Sequence, residues 1–226
     1  MRYRGRKGGS GLETLRLQWK RHEGGYEIVT VPPSPDGSSL PLTGDLPAGE
    51  YVMPRGIEAP FVIEVSGPIT KSANIDIVER VLLGLANSNS TADILQFVAT
   101  FGLPTGSPIT VEALRALTRT FDEALSYMDL ANIGLGTKGI ERIVTRYAPS
   151  SRSTFENGKL YQTAPTLSAF CWLLLLRAIS DEAPIRACSA CHQWYMGVRR
   201  VGKRKGEQVP KLCGSSRCKE KWQKHG

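Results

Sequence analysis

Four of the five cysteines lie within residues 186–226, in two closely spaced pairs whose thiolates could hold a metal ion. Cys188 and Cys191 form a C-x2-C pair, and Cys213 and Cys218 form a C-x4-C pair after the 21 residues of 192–212. A tight turn directs both sulfurs of a pair at one ion, and the second pair completes the tetrahedron that Zn²⁺ adopts in structural sites. We therefore predict one structural Zn²⁺ bound by these four thiolates.

A metal would also be needed for this segment to fold. A chain of the length of 186–226 buries too little apolar surface to be stable alone, so the ion would supply on the order of 10 kcal/mol of folding free energy. We expect the segment to be unfolded without metal.

Two other roles for the cysteines fit the sequence less well. Disulfides form in oxidising compartments, whereas the basic start, Met1 to Lys7, is not followed by the apolar stretch of a secretory signal. A redox C-x2-C would need a βαβ pattern and would leave the second pair unexplained. The fifth cysteine, Cys171, lies in an apolar run and is expected to be a small buried side chain. The longest apolar run, 167–179, is shorter than the roughly 20 residues of a membrane span, so we expect a cytoplasmic protein without membrane partners.

The residues between and after the pairs predict a small zinc-finger fold. Aromatic residues in 193–198 favour a strand, 202–206 is a glycine-flanked turn, and 208–212 is expected to be the returning strand. Ser215 or Ser216 can cap a short helix that extends to Lys224 and carries the last ligand. This order is treble-clef-like.

Charge is distributed unevenly along the chain. The net charge of +8 combines +9 in residues 186–226, +6 in residues 1–22 and −7 in residues 23–185. Basic ends on an acidic body are typical of a nucleic-acid-binding protein, because cationic side chains release the counterions condensed on phosphates. A solubilising surface or a targeting signal in 199–205 is the alternative.

The C-terminal segment resembles a known family. The order C-x2-C, aromatic strand, basic stretch, C-x4-C and basic helix is similar to the CGNR-type zinc finger, which follows a helical ABATE domain in predicted bacterial transcription regulators. Cys188, Cys191, Cys213 and Cys218 occupy that family's ligand positions. The Gly-Asn-Arg of the family signature is replaced here by Lys219, Glu220 and Lys221. The segment around Asp93, a glycine-containing loop and a long helix are also similar to the ABATE layout.

This resemblance implies a DNA-binding transcription regulator whose body senses a ligand or mediates homodimerisation. The partner would be nucleic acid, with double-stranded DNA as the leading candidate. The basic residues of the finger would then contact phosphates or bases: Arg199, Arg200, Lys203, Arg204, Lys205, Arg217, Lys219, Lys221 and Lys224. Two alternatives stay open. Trp194 and Tyr195 could stack on the bases of an RNA, or the finger could dock on an acidic protein surface.

The rest of the chain predicts an α+β protein. Alternating apolar residues in 13–20 and 26–31, separated by Gly24 and Gly25, indicate a β-hairpin, and further strands follow near 51 and 60–66. Helical periodicity then begins at Ser72 and predicts helices over 72–90, 91–101, 110–130, 137–147 and 166–180, with 148–163 as a polar loop. Ser72 or Asn74 is the expected cap of the first of these helices, and Thr110 is the expected cap of the third.

The expected domains are therefore a basic arm and small β-rich layer with a Pro-rich loop (1–70), a mainly helical ABATE-like domain (71–185) and the four-cysteine zinc finger (186–226). Enzymatic motifs such as H-E-x-x-H, Walker A and G-x-S-x-G are absent from the sequence, which predicts a binding protein rather than an enzyme.

Overall fold

The computed structural model of the protein describes residues 14–32, 46–131, 137–147, 150–197, 212–213, 215–216 and 218. Within them the chain is a mixed α+β protein with a four-stranded, a three-stranded and a two-stranded sheet. The basic arm, residues 1–11, most of the Pro-rich loop, the turn predicted at 202–206 and nearly all of the returning strand and final helix of the predicted zinc finger lie outside the described residues.

The N-terminal strands form one long ribbon that bends in the middle. Strands β1 (Thr14–His22) and β2 (Tyr26–Val31) follow each other, and so do β3 (Gly49–Pro54) and β4 (Glu58–Ser66). β1 pairs antiparallel with β4, and β2 pairs antiparallel with β3, in a single continuous register. The predicted β1–β2 hairpin is therefore wrong, because these two strands are halves of one bent strand and lie in different sheets.

Glycines allow the two halves of the ribbon to bend. A Cβ on Gly24 would lie 2.7 Å from the carbonyl oxygen of Arg55, and one on Gly56 would lie 2.9 Å from the backbone nitrogen of Gly24. Gly56 also has a positive φ of 74°, which an L side chain adopts only under strain. Gly24, one of the two glycines that suggested a hairpin turn, instead permits together with Gly56 the close approach of two backbones at a corner.

The four-stranded sheet has the order β4-β1-β7-β6 and joins distant parts of the chain. Strands β6 (Arg152–Glu156) and β7 (Lys159–Ala164) form a hairpin, and β7 pairs parallel with β1. The polar loop predicted for 148–163 is thus wrong over most of its length. Asn157 and Gly158 both have positive φ, as the tight turn of a two-residue hairpin requires.

The helices agree closely with the periodicity of the sequence. Helix α1 (Ser72–Ile77) continues through the π-helical segment Val78–Leu83 into α2 (Gly84–Ala86), and β5 (Ile109–Thr110) pairs with β3 before α4 begins. The remaining helices are α3 (Thr91–Phe101), α4 (Val111–Ala131), α5 (Thr137–Tyr147) and α6 (Leu167–Ser180).

Side-chain caps fix several of the helix starts. The Thr110 hydroxyl accepts from the Ala113 backbone N–H at 3.0 Å, as predicted, and Thr166 accepts from Ala169 at 3.1 Å. Ser90 and Asp93 form a reciprocal capping box at α3. The cap predicted at Ser72 or Asn74 is wrong: Lys71 holds the N-cap position without a side-chain bond, and the Asn74 amide donates back to the Ser66 and Pro68 carbonyls.

One hydrophobic core joins the strands to the helices. It includes Leu15 and Leu17 of β1, Val52 of β3, Phe121 of α4 and Phe170 of α6, all nearly inaccessible to solvent. Phe121 and Tyr147 both pack against Trp172, with ring centroids 4.5 and 5.1 Å from the Trp172 ring. Among the described residues, no helix is both long and apolar enough to cross a membrane.

A short antiparallel hairpin ends the described body. It consists of β8 (Ile185–Ala187) and β9 (Trp194–Met196), with Ile185 opposite Met196 and Ala187 opposite Trp194. The strand predicted over 193–198 is confirmed at 194–196, and residue 198 lies outside the described residues. The first cysteine pair lies in the turn between these strands, so the hairpin positions the candidate site.

Candidate metal centre

The four predicted ligand cysteines lie together. The sulfur atoms of Cys188, Cys191, Cys213 and Cys218 are all within 4.8 Å of one another, close enough to bind one metal ion. The Cys191 and Cys213 sulfurs are 3.9 Å apart, and the Cys213 and Cys218 sulfurs are 3.6 Å apart. Sulfurs about 2.3 Å from a tetrahedral ion are about 3.8 Å apart, whereas a disulfide brings them to about 2.05 Å. The spacing matches a four-thiolate site, and the thiols are free.

Backbone hydrogen bonds shape the turn that presents the first pair. The backbone N–H of Cys188 donates to the Gln193 carbonyl at 2.9 Å, and that of His192 donates to the Cys188 carbonyl at 2.8 Å. His192 has a φ of 60°, in the left-handed region, which lets the chain turn back directly after Cys191. Its side chain is exposed to solvent.

The surroundings of Cys188 favour the thiolate form of its side chain, whereas those of Cys191 and Cys218 disfavour it. Desolvation opposes ionisation of the Cys188 thiol, but hydrogen bonds from the backbone around Ala190, Cys191 and Cys213 outweigh it and lower its pKa to about 6. Hydrogen bonding to the Cys191 and Cys213 sulfurs raises the pKa of Cys218 to about 12. Desolvation, together with the neighbouring Cys188 thiolate, raises the pKa of Cys191. One thiolate thus forms readily, and a cation would have to displace protons from others.

A small cluster of its own surrounds the sulfurs. Cys188 and Cys218 are buried with Ala190, and Tyr195 and Leu212 pack against them. Ser216 and Cys218 have helical backbone geometry, in agreement with the predicted short helix as far as that part of the chain is described.

The hairpin is fastened to the body by hydrogen bonds to its backbone. The Asn87 side chain, directly after α2, donates to the Trp194 carbonyl at 2.9 Å and accepts from the Trp194 backbone N–H at 2.7 Å. The Glu79 carboxylate, in the π-helical segment, accepts from the Met196 backbone N–H at 3.2 Å. Side chains of the π-helical segment and of the residue after α2 therefore bond to the backbone groups along the outer edge of β9.

Trp194 anchors the same strand through its side chain. It is 7% exposed and belongs to the main core, and its indole N–H donates to the Asp122 carboxylate of α4 at 2.7 Å. A buried, hydrogen-bonded indole is not available to stack on a base, so the predicted RNA contact of Trp194 is wrong. Tyr195, the next residue, is partly exposed.

The anchors Glu79, Asn87 and Asp122 were not predicted as site residues. Glu79 and Asp122 read as ordinary polar positions on helices, and Asn87 reads as a helix end. The signal that could have found them is the buried hairpin itself, because a short strand that packs on a core needs partners for its free backbone groups.

Of the other residues singled out in the sequence, Cys171 is described by the structure and the predicted nucleic-acid contacts are not. Cys171 is fully buried in α6, where desolvation strongly raises its pKa, and it is not part of the metal centre. Nine predicted nucleic-acid contacts lie outside the described residues: Arg199, Arg200, Lys203, Arg204, Lys205, Arg217, Lys219, Lys221 and Lys224.

A cleft of about 710 Å³ lies on the body, beside the start of α4. Glu50, Glu112, Arg115 and Arg119 are among the residues that line it, together with Thr110 and Thr118. The sequence analysis predicted no site there, because these residues are scattered over β3 and one face of α4.

Comparison with known proteins adds no family to these observations. No protein-family model matches the chain, and no curated protein matches it significantly. The resemblance to the CGNR finger and the ABATE domain therefore stays a prediction, as do the domain limits at 70 and 185.

Proposed function

We propose that this protein is a zinc-dependent nucleic-acid-binding protein that acts as a DNA-binding transcription regulator. The observation that carries the proposal is the convergence of four cysteine sulfurs, from two segments of the chain, around a single point. Four thiolates in a tetrahedron are the ligands of structural Zn²⁺ sites. Such a site has no open position for substrate, so the ion holds the fold together rather than performing a reaction.

The charge of the C-terminal segment supports nucleic acid as the partner. The two cysteine pairs bracket residues 192–212, which contain Arg199, Arg200, Lys203, Arg204 and Lys205. Since the Cys191 and Cys213 sulfurs are 3.9 Å apart, an ion bound there would tie both ends of this basic segment to one point. Holding cations together on a short closed segment favours binding to a polyanion.

Regulation of transcription is the part of the proposal that depends on the resemblance to the CGNR finger and the ABATE domain. In that role Arg217, Lys219, Lys221 and Lys224 would contact DNA from the final helix. The acidic body would sense a ligand, for which the cleft beside α4 offers a place, or would form a dimer.

The test is binding of fluorescent 20-base-pair duplexes and single strands, measured by anisotropy across a salt series. We expect micromolar or tighter duplex binding at low salt and a steep loss of affinity as salt increases. A triple variant, Lys203→Ser, Arg204→Ser and Lys205→Ser, should reduce the slope of log affinity against log salt by about 2 to 3.

The matched control removes three positive charges from the body instead. Lys71→Ser, Arg142→Ser and Lys159→Ser change exposed residues that precede the C-terminal segment 186–226 in the sequence and should leave most of the affinity intact. The absence of binding at low salt would exclude nucleic acid as the partner and leave the hypothesis that the finger docks on an acidic protein surface. A strong preference for single-stranded RNA would identify RNA rather than DNA as the partner.

A further inference from the structure

Among the strands that the structure describes, β6 is the last strand of the four-stranded sheet, and none lies beside its outer edge. We propose that two copies of the protein associate through it, with the two β6 strands antiparallel about a two-fold axis at Thr154. The two four-stranded sheets would then form one continuous sheet of eight strands. This inference rests on the geometry of β6 and does not depend on zinc or nucleic-acid binding.

The β6–β7 hairpin determines which backbone groups are free. In a two-residue turn, the residues on either side, Glu156 and Lys159, form a hydrogen-bonded pair. Pairs alternate along an antiparallel ladder, so Thr154 and Arg152 also bond to β7 while Ser153 and Phe155 direct their N–H and C=O groups outward. Within the described part of the chain, no hydrogen bond is made to these outward groups.

The free groups are in the register that self-pairing needs. When two β6 strands pair about Thr154, Ser153 of each copy lies opposite Phe155 of the other. These are the residues whose N–H and C=O groups face outward, so four backbone hydrogen bonds can form across the seam. A shift of one residue would place the bonded groups opposite groups that are already used by β7.

The charges of the strand are complementary in the same register. Arg152 of one copy lies opposite Glu156 of the other, and both residues are exposed. Opposite charges in directly opposed positions stabilise a strand pair, whereas like charges weaken it. Glu156 can serve both partners, because Arg16 of its own chain donates to Oε2 at 2.6 Å and leaves Oε1 for the incoming guanidinium.

Apolar side chains flank the seam on the opposite face. Phe155 is 74% exposed, and Leu160, its neighbour across the hairpin, is 39% exposed. In the paired arrangement the two Phe155 rings are diagonal neighbours across the seam, within reach of each other. The other edge of the sheet, strand β4, is less suited to pairing with a second copy, because Pro60 has no backbone N–H to donate.

Sedimentation velocity over a concentration series tests the proposal. A short edge-to-edge contact is smaller than a standard interface, so we expect a monomer–dimer equilibrium with a dissociation constant of about 1 to 100 µM. Ser153→Pro should abolish the dimer, since it removes an outward N–H while the bonds to β7 remain. Its circular dichroism spectrum should match that of the wild type.

Reversing the charges of Arg152 and Glu156 in separate variants distinguishes this interface from any other. Arg152→Glu alone and Glu156→Lys alone each place like charges opposite one another, and each should weaken homodimers about tenfold or more. An equimolar mixture of the two variants restores both opposite-charge pairs in a heterodimer and should associate again. Lys71→Glu, a charge reversal at an exposed residue just before α1, should have no effect.

The outcomes decide the proposal in either direction. Concentration-dependent dimers that are lost in Ser153→Pro and recovered in the mixture support it. A wild type that is monomeric at about 200 µM overturns it. A dimer that persists in Ser153→Pro, or a mixture of the charge variants that stays monomeric, places any association elsewhere on the molecule.

Discussion

At the scale of single residues, the metal centre depends on which cysteines converge. Cys171 is as buried as Cys188, yet it lies in the core of α6, where its thiol packs as a small apolar group. The other four sulfurs all lie within 4.8 Å of one another, close enough to bind one metal ion. Burial alone does not distinguish a ligand from a packing residue, whereas convergence does.

Replacing one ligand tests this distinction. Cys191→Ser should reduce bound zinc well below one ion per chain, because a hydroxyl is a much poorer zinc ligand than a thiolate. The matched control, Cys171→Ala, should keep full zinc and lose only about 1 to 2 kcal/mol of stability from a small cavity. Zinc is measured by plasma mass spectrometry after gel filtration. Loss of zinc in both variants, or in neither, would contradict the ligand assignment.

Metal affinity should depend strongly on pH. The raised pKa values of Cys191 and Cys218, the latter about 12, mean that both thiols carry protons at neutral pH and must lose them to bind metal. Affinity therefore falls as pH decreases, with log affinity changing by at least two per pH unit near neutrality, one for each of these two protons. Below a pH of about 6 the slope should steepen, since Cys188 is then protonated too. Competition with a chromophoric chelator measures it, and an affinity independent of pH between 6 and 8 would contradict this account.

At the scale of elements, the corner of the β-ribbon depends on its glycines. Gly56→Ala should destabilise the protein by about 3 kcal/mol, because the new Cβ meets the Gly24 backbone and φ is positive. Gly158→Ala has a similar φ of 76° but open space around it, so it should cost only about 1 kcal/mol. Urea unfolding measures both. Equal losses would show that the backbone approach at the corner has no energetic role.

The attachment of the metal hairpin to the body depends on Asn87. Asn87→Ala leaves the Trp194 N–H and C=O without their partners and should lower the free energy of unfolding by about 2 to 4 kcal/mol. Asn89→Ala, two residues on and exposed, should change it by less than about 0.5 kcal/mol. Unfolding followed by tryptophan fluorescence reports directly on this contact. The hairpin is not anchored as described if the two variants are equally stable.

Local sequence patterns predicted the helices and the cysteine turn, but they did not predict which strands, distant in the sequence, pair with each other. The helices follow from apolar periodicity and caps, and the metal turn follows from the C-x2-C spacing, both of which involve residues near one another in sequence. Gly24 and Gly25 gave the wrong hairpin, because a local pattern cannot tell a turn from a bend. Strands β6 and β7 were missed because their alternation is weak, although Asn157 and Gly158 carried the turn signal.

At the scale of the whole molecule, the metal hairpin and the body share one core. Trp194 and Met196 belong to the cluster formed by β1, α4 and α6, even though the cysteines beside them form a cluster of their own. The sequence predicted that the four cysteines come together, but not that the first strands of their segment complete the core of the body. Loss of metal is therefore expected to affect the stability of the body as well as the finger.

The charge distribution gives the molecule two unlike parts. Residues 23–185 are acidic, with a charge of −7, while residues 186–226 carry +9. Under the proposed function the acidic body repels a polyanion and the C-terminal segment attracts it, which orients the protein on its partner. That orientation exists only if the metal holds the C-terminal segment together.

The most direct test of the whole account is the zinc content of freshly purified, full-length protein, determined together with the number of free thiols. We predict one zinc ion per chain, with four thiols that react only after a chelator removes the ion. Less than about a tenth of an ion per chain in protein produced with zinc present, or four cysteines joined as disulfides, would contradict the central claim.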